Sequence, residues 1–592
     1  MIMKCELNII KPSLFLLSVI LIMSGCDKEY LEPQVLSFYT PGTFSTPEAL
    51  QSVLVANQSL LRDEFIDRRS PISTQMFFSD ICVEGSTDIG NLPQDLNNFI
   101  TPSGNLGRIE WYWNEGYRGI KNANTVISRI DGAKYKSEEH RNALLGSAYF
   151  DRAYWYYHLT HLFGNVPLLL EEITIPRTDF TSEDRVVILQ RMKEDLEFAQ
   201  TWVSDNVNRG DIAKGAVSHL LTKVNLALGL FDDAIVSASD VIDGGVYQLM
   251  TQRFGIDASD PNKNVTWDLH RPENKSLGEN TEAILLTINR ENVIGNYTTN
   301  NGNLTMRNAV PNWYASINTP NGNKGTLDRA GLEIDLSSMY GRGTGVTRNT
   351  NYQQNLIWKL DDTDERHAPG NWVRMEDLVY NNVAIKGTDP YYGEPLQMFS
   401  DEGNLLVSDT IRTWYDWPHY KTYVYDINNV PMMGGATDWY VFRLAETYLL
   451  RAEAYFWKGQ LDLAASDINK VRVRANAIPI ADNDVTMRMI IDERARELYY
   501  EEPRKTELTR ISFIFALTGK VAFNGKSYNL DNFSADNFYY DQVMDANDFY
   551  NKGARTNYGN LYTMSPYHVL WPIPAPAINA NVNGNIPQNE GY

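Results

Sequence analysis

Two short helix–turn–helix units, far apart in the chain, restrict the folds open to this sequence more than any other feature. The first contains Gly229-Leu230-Phe231-Asp232-Asp233-Ala234 and the second contains Gly459-Gln460-Leu461-Asp462-Leu463-Ala464. In each unit an apolar helical stretch ends at a glycine, and a small residue opens the next helix, so that the paired helices can approach closely. This pattern is typical of tetratricopeptide-like repeats, and it predicts a mostly α-helical scaffold of helix pairs.

The residues between the two units do not continue this helical periodicity. Residues 244–438 are rich in Asn, Gly, Thr, Tyr and Trp, and so long an irregular region inside a compact chain is usually functional. We therefore predict a helical scaffold with a large loop-rich insertion. The predicted parts are an N-terminal helical part over residues 44–243, the insertion over 244–438 as the ligand-binding region, and a C-terminal helical part with an extended tail over 439–592.

Apolar spacing inside both helical parts predicts the individual helices. The first begins at Pro47, after a capping Ser45 or Thr46. Further helices are predicted over residues 111–130, 139–163, 183–203, 213–228, 231–242, 440–457, 461–475 and 486–500, with an irregular stretch from Ile511 onwards.

The last residues predict an extended end that packs against the rest of the protein. Pro572, Pro574 and Pro576 cannot extend a helix or lie in a central strand. The chain then ends at Tyr592 without a charged overhang. We expect an extended segment that lies over the finished body and does not fray.

The first 25 residues have the features of a lipoprotein signal peptide. Lys4 and Lys11 precede a short apolar run, ending at Met23, that cannot span a bilayer as a stable helix. The small residues before Cys26 resemble a lipobox, so we predict cleavage there, lipidation of Cys26 and a tether over residues 26–43. Such a protein is anchored to a membrane without crossing it. The alternative is an ordinary secretory signal that contains a cysteine.

Several motifs follow one another along most of the chain. They are Tyr117-Arg118-Gly119-Ile120, Gly146-Ser147-Ala148-Tyr149-Phe150-Asp151-Arg152, Phe163-Gly164-Asn165-Val166-Pro167, Asp364-Glu365-Arg366, Arg443-Leu444-Ala445-Glu446, Glu493-Arg494-Ala495-Arg496-Glu497-Leu498, and the closing Leu570-Trp571-Pro572-Ile573-Pro574. In number and order they resemble the RagB/SusD family of outer-membrane lipoproteins, which capture nutrients, usually glycans. Met23, Glu502 and Glu590 depart from the commoner Leu, Gly and Pro of the family.

The resemblance implies a function for the whole chain. It implies a SusD-like protein, lipid-anchored in the outer membrane and facing the cell exterior, that binds an oligo- or polysaccharide. Such a protein delivers its glycan to a SusC-like TonB-dependent transporter. Two alternatives on the same scaffold stay open: a peptide-binding member, and a structural transporter lid with little affinity of its own. The charged motif residues, among them Arg152, Glu493 and Arg494, are predicted to pair across helices and fix the packing.

Composition and motifs give no support for catalysis or for nucleic-acid binding. The chain carries 53 basic and 74 acidic residues, a net charge of −21, which repels nucleic acid. It has neither a Gly-x-Ser-x-Gly nor a His-Glu-x-x-His motif, and His158 and His161 lack a third ligand for a metal. We interpret residues 341–345, Gly-Arg-Gly-Thr-Gly, as a flexible loop. We predict no catalytic residue, metal or cofactor; a glycosidase with paired carboxylates is the remaining alternative.

The candidate ligand-binding residues follow from the chemistry of sugars. Tyr and Trp rings cover the apolar face of a sugar, and Asp, Asn and Arg satisfy its hydroxyl groups. We predict ligand contacts for aromatic residues with polar or Gly-rich neighbours and for two charged residues, namely Trp313, Tyr314, Trp372, Tyr391, Tyr392, Asp80 and Arg374. The negative net charge favours a neutral sugar, unless Arg342, Arg348, Arg366 and Arg374 form a basic cleft.

Overall fold

The structure is a computed structural model that describes residues 45–66, 71–88, 93–104, 108–296, 302–424 and 433–592. The predicted signal peptide over residues 1–25, the lipidated Cys26 and the tether over 26–43 lie outside these ranges. Within them, every helix is either too short or too polar to cross a lipid bilayer.

The N-terminal helical part is built as the apolar spacing predicts. The first helix begins at Pro47, and Thr46 caps it by accepting a hydrogen bond from the Ala49 amide. The predicted boundaries of the later helices are correct to within three residues. The α-helices of this part are Pro47–Phe65, Pro71–Phe77, Leu96–Phe99, Arg108–Arg129, Glu138–Leu162, Arg185–Trp202, Lys214–Ala227 and Phe231–Ile242. The 3₁₀ turn Ile130–Gly132 and the strand pair Val166–Pro167 with Ser182–Glu183 complete it.

The two repeat units that are far apart in sequence are neighbours in space. The helix Leu444–Lys458 of the second unit packs along the helix Phe231–Ile242 of the first. Arg451 crosses this contact to Asp243, with 3.0 Å between its Nη1 and the carboxylate. The scaffold is therefore one continuous stack of helix pairs, interrupted in sequence by the insertion but not in structure.

The C-terminal part differs from the prediction in several places, among them the helix Phe538–Ala546 in the stretch predicted to be irregular. The α-helices are Leu444–Lys458, Leu461–Arg474, Met487–Glu497, Arg504–Thr518, Phe538–Ala546 and Ala575–Ala580, with 3₁₀ turns at Asp482–Asp484, Leu530–Asn532 and Pro566–Val569. The helix predicted from residue 440 starts later, because Trp439–Arg443 is a strand of aromatic and β-branched residues paired with Ala283–Thr287. Arg504–Thr518 continues as a helix through the stretch predicted to be irregular; it is buried on nearly every side, so it shows no apolar stripe.

The insertion is loop-rich, as predicted, but it has a hydrophobic core of its own. Its α-helices are Val265–His270, Thr305–Ala309, Leu336–Tyr340, Asn351–Gln354, Thr410–Thr413 and His419–Thr422, with 3₁₀ turns at Leu356–Trp358, Glu365–His367, Met375–Asp377 and Val383–Ile385. Its strand Thr347–Asn349 pairs with Cys82–Glu84, and Trp372–Val373 pairs with Trp417–Pro418. The core cluster is Met306, Val310, Trp313, Ile317, Leu336, Val373, Met375, Leu378, Tyr380, Leu396, Val407 and Trp417.

A buried network of ion pairs joins the insertion to the scaffold. Glu497, on a scaffold helix, accepts hydrogen bonds from Arg366 of the insertion at 2.9 Å and from Arg443 at 2.6 Å, and it also pairs with Arg474. Glu493, one turn earlier, pairs with Arg366 at 2.7 Å. These arginines hold the pKa of the Glu497 carboxyl well below its ordinary value in spite of its burial. The prediction that the charged motif residues pair across helices is confirmed.

The C-terminal tail is packed, as predicted, but it is not extended throughout, because Pro576 lies in the first turn of the short helix Ala575–Ala580, where a proline is tolerated. Trp571 is fully buried, and its amide donates to the Leu162 carbonyl at 2.6 Å. Gln588 makes two hydrogen bonds of 2.8 Å to the backbone of Ile573, and the Tyr592 hydroxyl donates to the Leu570 carbonyl at 3.0 Å. The last residues of the chain thus close over the end of the helix Glu138–Leu162.

Candidate functional site

Three of the predicted ligand contacts are buried side chains. Trp313 and Trp372 are 0% and 1% exposed, and Trp313 Nε1 donates to the Gly341 carbonyl at 3.0 Å. Trp372 packs edge-on against Trp358 and His367. Asp80 is also fully buried, where Arg504 binds it through two hydrogen bonds of 2.9 and 2.8 Å. None of the three offers a free face to a ligand.

Tyr314 lies at the surface of the insertion, next to the buried Trp313. The guanidinium of Arg342 lies over its ring, 4.4 Å from the ring centre. Asp328 fixes this arginine through a 2.6 Å ion pair to its Nε. Burial raises the pKa of the Tyr314 hydroxyl above its ordinary value, and Arg342, Asp328 and Arg412 are all close enough to affect that pKa.

Two backbone segments position Tyr314. Residues 312–318 run antiparallel to residues 406–412, through the amide of Asn312 to the Arg412 carbonyl at 3.0 Å and the amide of Asn318 to the Leu406 carbonyl at 2.9 Å. Ile317 and Val407 form a bridge in the same register. This register fixes Tyr314 on one segment and Arg412 on the other, at the same end of the pair.

The glycine-rich residues 341–345 are tightly packed, so our interpretation of them as a flexible loop is wrong. A Cβ on Gly343 would lie 1.8 Å from the Val310 carbonyl oxygen, so any side chain here would force the two backbone segments apart. Gly345 has a φ of +60°, and its amide donates to the Val310 carbonyl at 3.0 Å. The glycines allow this segment to approach the Tyr314 segment closely, and Arg342 is thereby placed over the tyrosine ring.

The polypeptide before the helix Arg108–Arg129 contributes the last part of the site. The Asp88 carboxylate pairs with Arg412 Nη1 at 2.6 Å, and the Arg412 Nε donates to the Thr344 carbonyl at 2.9 Å. The Thr87 hydroxyl donates to Asp409, which caps the helix that carries Arg412. We call the surface formed by Asp88, Tyr314, Asp328, Arg342 and Arg412 the junction surface, because two distant parts of the chain meet there.

Tyr391 and Tyr392 lie on a separate loop that Asp389 holds in place. The buried Asp389 carboxylate accepts hydrogen bonds from Thr319 at 2.7 Å, from Asn323 at 2.8 Å and from the Tyr391 amide at 3.1 Å. These bonds hold the pKa of Asp389 below its ordinary value despite desolvation. Both tyrosines are half-buried. Asp389 thereby ties this loop to residues 319–323, which directly follow the Tyr314 segment in the chain.

Arg374 is half-buried beside acidic groups. Its amide donates to Asp377 at 2.8 Å, and Asp416 and Glu376 are close to it. Burial and Glu376 raise the pKa of Asp416 to about 6. The structure therefore places the predicted contact residues in several surroundings and brings only the half-buried Tyr314 into a cluster with charged groups of both signs.

Sequence reasoning missed Asp328 and Arg412 as members of the site. The available signal was the run of glycines at 341, 343 and 345, since glycines at alternate positions often mark close backbone approach.

Two clefts, of about 740 and 590 Å³, lie elsewhere, one beside the helix Pro47–Phe65 and the other between Tyr117 and Phe180. No junction-surface residue lines either cleft. Across the described ranges, no group of three or more His, Cys, Asp or Glu side chains is arranged to hold a metal ion.

Comparison with known proteins identifies the family. Residues 281–592 match the family described as the SusD family, and residues 30–226 match the one described as starch-binding, associating with the outer membrane. The chain belongs to the SusD family. Members of this family are non-catalytic proteins, so this chain is not an enzyme.

Individual relatives match this chain over different shares of its length. SusD-like protein P25 of Formosa agariphila is 23% identical over 517 residues, which cover 82% of this chain and 87% of that protein. Starch-binding protein SusD of Bacteroides thetaiotaomicron is 35% identical over 156 residues, 26% of this chain and 22% of that protein. A solved laminarin-binding SusD-like protein has a TM-score of 0.62 at 19% identity, covering 93% of this chain and all of its own, and this likeness shows the fold.

Proposed function

We propose that this protein is a cell-surface lipoprotein that captures an oligo- or polysaccharide on the junction surface and delivers it to a SusC-like TonB-dependent transporter. The observation that carries the proposal is the arrangement around Tyr314. A fixed aromatic ring at the surface lies among guanidinium donors and carboxylate acceptors, with the Arg342 group 4.4 Å from the ring centre. A sugar needs an aromatic face for its C–H groups and mixed donors and acceptors for its hydroxyls.

The relatives support a glycan as the ligand. The solved structures that share this fold include a surface glycan-binding protein A of Bacteroides thetaiotaomicron in complex with laminarihexaose, with a TM-score of 0.61 at 15% identity and coverage of 92% of this chain and all of that one. Other relatives are described as starch-binding or laminarin-binding. A family with several glycan ligands on one scaffold is consistent with a site made from insertion loops.

The anchor and the transporter form the remaining part of the proposal. Lipidation of Cys26 would hold the protein at the outer membrane, and residues 26–43 would allow it to move relative to the transporter. Replacing Cys26 by Ala tests the anchor: we expect the protein to leave the membrane fraction while its glycan affinity stays unchanged. Retention of the Cys26→Ala protein in the membrane fraction would contradict this step.

Glycan binding is tested with the soluble chain from residue 27 onwards. We expect one or more polysaccharides in a panel to retard it in affinity gels, without release of reducing sugar. Tyr314→Ala removes the ring and should lower the affinity by about ten- to a hundredfold, the effect of losing an aromatic contact worth roughly 1.5–3 kcal/mol. The control is Phe523→Ala, which removes an exposed aromatic ring from the C-terminal part, away from the junction surface. Equal affinities of both variants and the wild type would exclude the junction surface as the site.

Delivery to the transporter needs a cellular measurement. Cells that carry the Tyr314→Ala chain should take up a fluorescently labelled form of the retained polysaccharide more slowly than cells with the wild-type chain. The two chains must be present at the cell surface in equal amounts, as measured by antibody labelling. Uptake at the wild-type rate would contradict delivery through this site.

A further inference from the structure

The junction surface carries a pattern of charges that bears on the class of its ligand. Each of its two arginines has a carboxylate partner of its own, Arg342 with Asp328 and Arg412 with Asp88, both at 2.6 Å. The Asp88 side chain is 66% exposed and that of Asp328 is 32% exposed, so both carboxylates face the same solvent as a bound ligand. The two arginines and two aspartates of the surface therefore balance in charge.

The other arginines that could have formed a basic cleft do not add positive charge to this surface. Arg366 is fully buried and pairs with Asp364, Glu493 and Glu497. Arg348 is also largely withdrawn from solvent, with its guanidinium against the rings of Tyr415 and Phe549. Arg374 lies beside Asp377, Asp416 and Glu376, as described above. The four arginines that sequence reasoning grouped together have separate surroundings, and the basic cleft is not formed.

Hydrogen-bond chemistry distinguishes the ligands that this surface accepts. A sugar hydroxyl both donates and accepts, so it can bind a guanidinium and the neighbouring carboxylate at the same time. A uronate or sulfate group only accepts, and at this surface it would meet Asp88 or Asp328 wherever it met an arginine. The overall charge of −21 adds a longer-range repulsion at low ionic strength.

We propose that the ligand of the junction surface is a neutral glycan and that Asp88 and Asp328 determine this specificity by rejecting anionic sugars. This inference rests on the proposed glycan-binding function. In the complex, Asp88 and Asp328 accept hydrogen bonds from sugar hydroxyls, while Arg412 and Arg342 donate to them. Tyr314 provides the apolar contact between the two pairs.

The test compares a neutral polysaccharide with its own charged derivative. Soluble starch, laminarin and other neutral polysaccharides are screened first, together with polygalacturonate and a sulfated polysaccharide. The polysaccharide that binds is then compared with its carboxymethylated form, which has the same backbone. We expect the charged form to bind at least about tenfold more weakly in 50 mM NaCl, and this difference to shrink in 500 mM NaCl as the repulsion is screened.

The variant Asp328→Asn tests whether the junction surface causes the rejection of anionic sugars. It keeps the shape of the side chain and removes its charge, so the affinity ratio of neutral to carboxymethylated polysaccharide should fall at least about threefold. Glu333→Gln, which removes an exposed charge paired with Lys386 on the same insertion, is the matched control and should leave the ratio unchanged. An unchanged ratio in Asp328→Asn would overturn the role of that carboxylate. The salt dependence of the wild type tests neutral-glycan specificity without any variant.

The outcomes separate this inference from the function on which it rests. Retention of a neutral polysaccharide, with discrimination against its charged form, supports both. Retention of acidic polysaccharides only, weakened by salt, overturns the neutral-glycan inference and leaves the glycan-binding function standing. Retention of no polysaccharide overturns both.

Discussion

Glu497 offers the sharpest test of how the insertion is held on the scaffold. Its buried carboxylate is shared by Arg366 of the insertion and by Arg443 and Arg474 of the scaffold. Glu497→Gln preserves the size of the side chain but removes its charge. Three buried guanidinium groups then lose a common counter-ion, although Glu282, Glu493 and Glu501 remain beside them.

The expected loss of stability in Glu497→Gln follows from the burial of its ion pairs. Removing one member of a buried ion pair typically costs about 3–5 kcal/mol, because the remaining charge is left uncompensated in a medium of low polarity. The glutamine carbonyl still accepts a hydrogen bond and the other carboxylates remain, so we expect the free energy of unfolding to fall by about 3 kcal/mol. Glu333→Gln, at the exposed pair with Lys386, should leave the unfolding midpoint unchanged.

Equilibrium unfolding in urea, followed by tryptophan fluorescence and by far-ultraviolet circular dichroism, measures the loss. Limited proteolysis adds a local readout, because the insertion should be cleaved faster in Glu497→Gln if the network is what holds it. A loss below about 1 kcal/mol, or cleavage at wild-type rates, would refute the idea that the charged network fixes the insertion to the scaffold.

Three further outcomes are expected. Trp372→Ala should lower the free energy of unfolding by about 3–5 kcal/mol in urea titrations, because it empties a core position, and a loss near zero would contradict its burial. Gly343→Ala should destabilise the protein by about 1–3 kcal/mol and weaken polysaccharide binding in gels, because its Cβ would clash with the Val310 carbonyl. Gly278→Ala is the control, since a Cβ there has no neighbour within 4 Å, and it should change neither stability nor binding. Burial lowers the pKa of His419 to about 3, so the unfolded chain takes up a proton near its ordinary pKa of about 6.5 while the folded chain does not. This one group should therefore lower the stability by about 2 kcal/mol at pH 5, and His419→Gln should reduce the pH-dependent loss by that share, while other buried histidines such as His367 and His568 keep theirs.

The helix pairs could be predicted because their signals are local. A capping residue, a terminal glycine and apolar spacing lie within a few residues of one another, and the helix from Pro47 and the repeat units followed from them. The helix Arg504–Thr518 escaped prediction for a physical reason. Its burial on nearly every side leaves no polar face to mark the helical period, so the pattern that reveals a surface helix is missing.

The site was harder to predict because it depends on contacts between distant residues. Trp313 and Tyr314 are adjacent in sequence with the same polar neighbours, yet one is a fully buried indole and the other lies at the surface. Arg412 is paired with Asp88, 324 residues earlier in the chain. Nothing in the local sequence of either residue indicates the partner. The glycines of residues 341–345 were visible, but their meaning depends on which backbone they approach.

The burial of Trp571 bears on the order in which the core is completed. Trp571 fills the core beside Phe78 and Phe163, with ring centres 5.3 and 6.2 Å away, so packing that begins with Phe78 is completed only by a residue much later in the chain. A chain released before residue 571 leaves those aromatic rings open to water. Packing of this part of the core must therefore wait until residue 571 has been synthesised, and products terminated before it carry an exposed apolar surface that chaperones and proteases recognise.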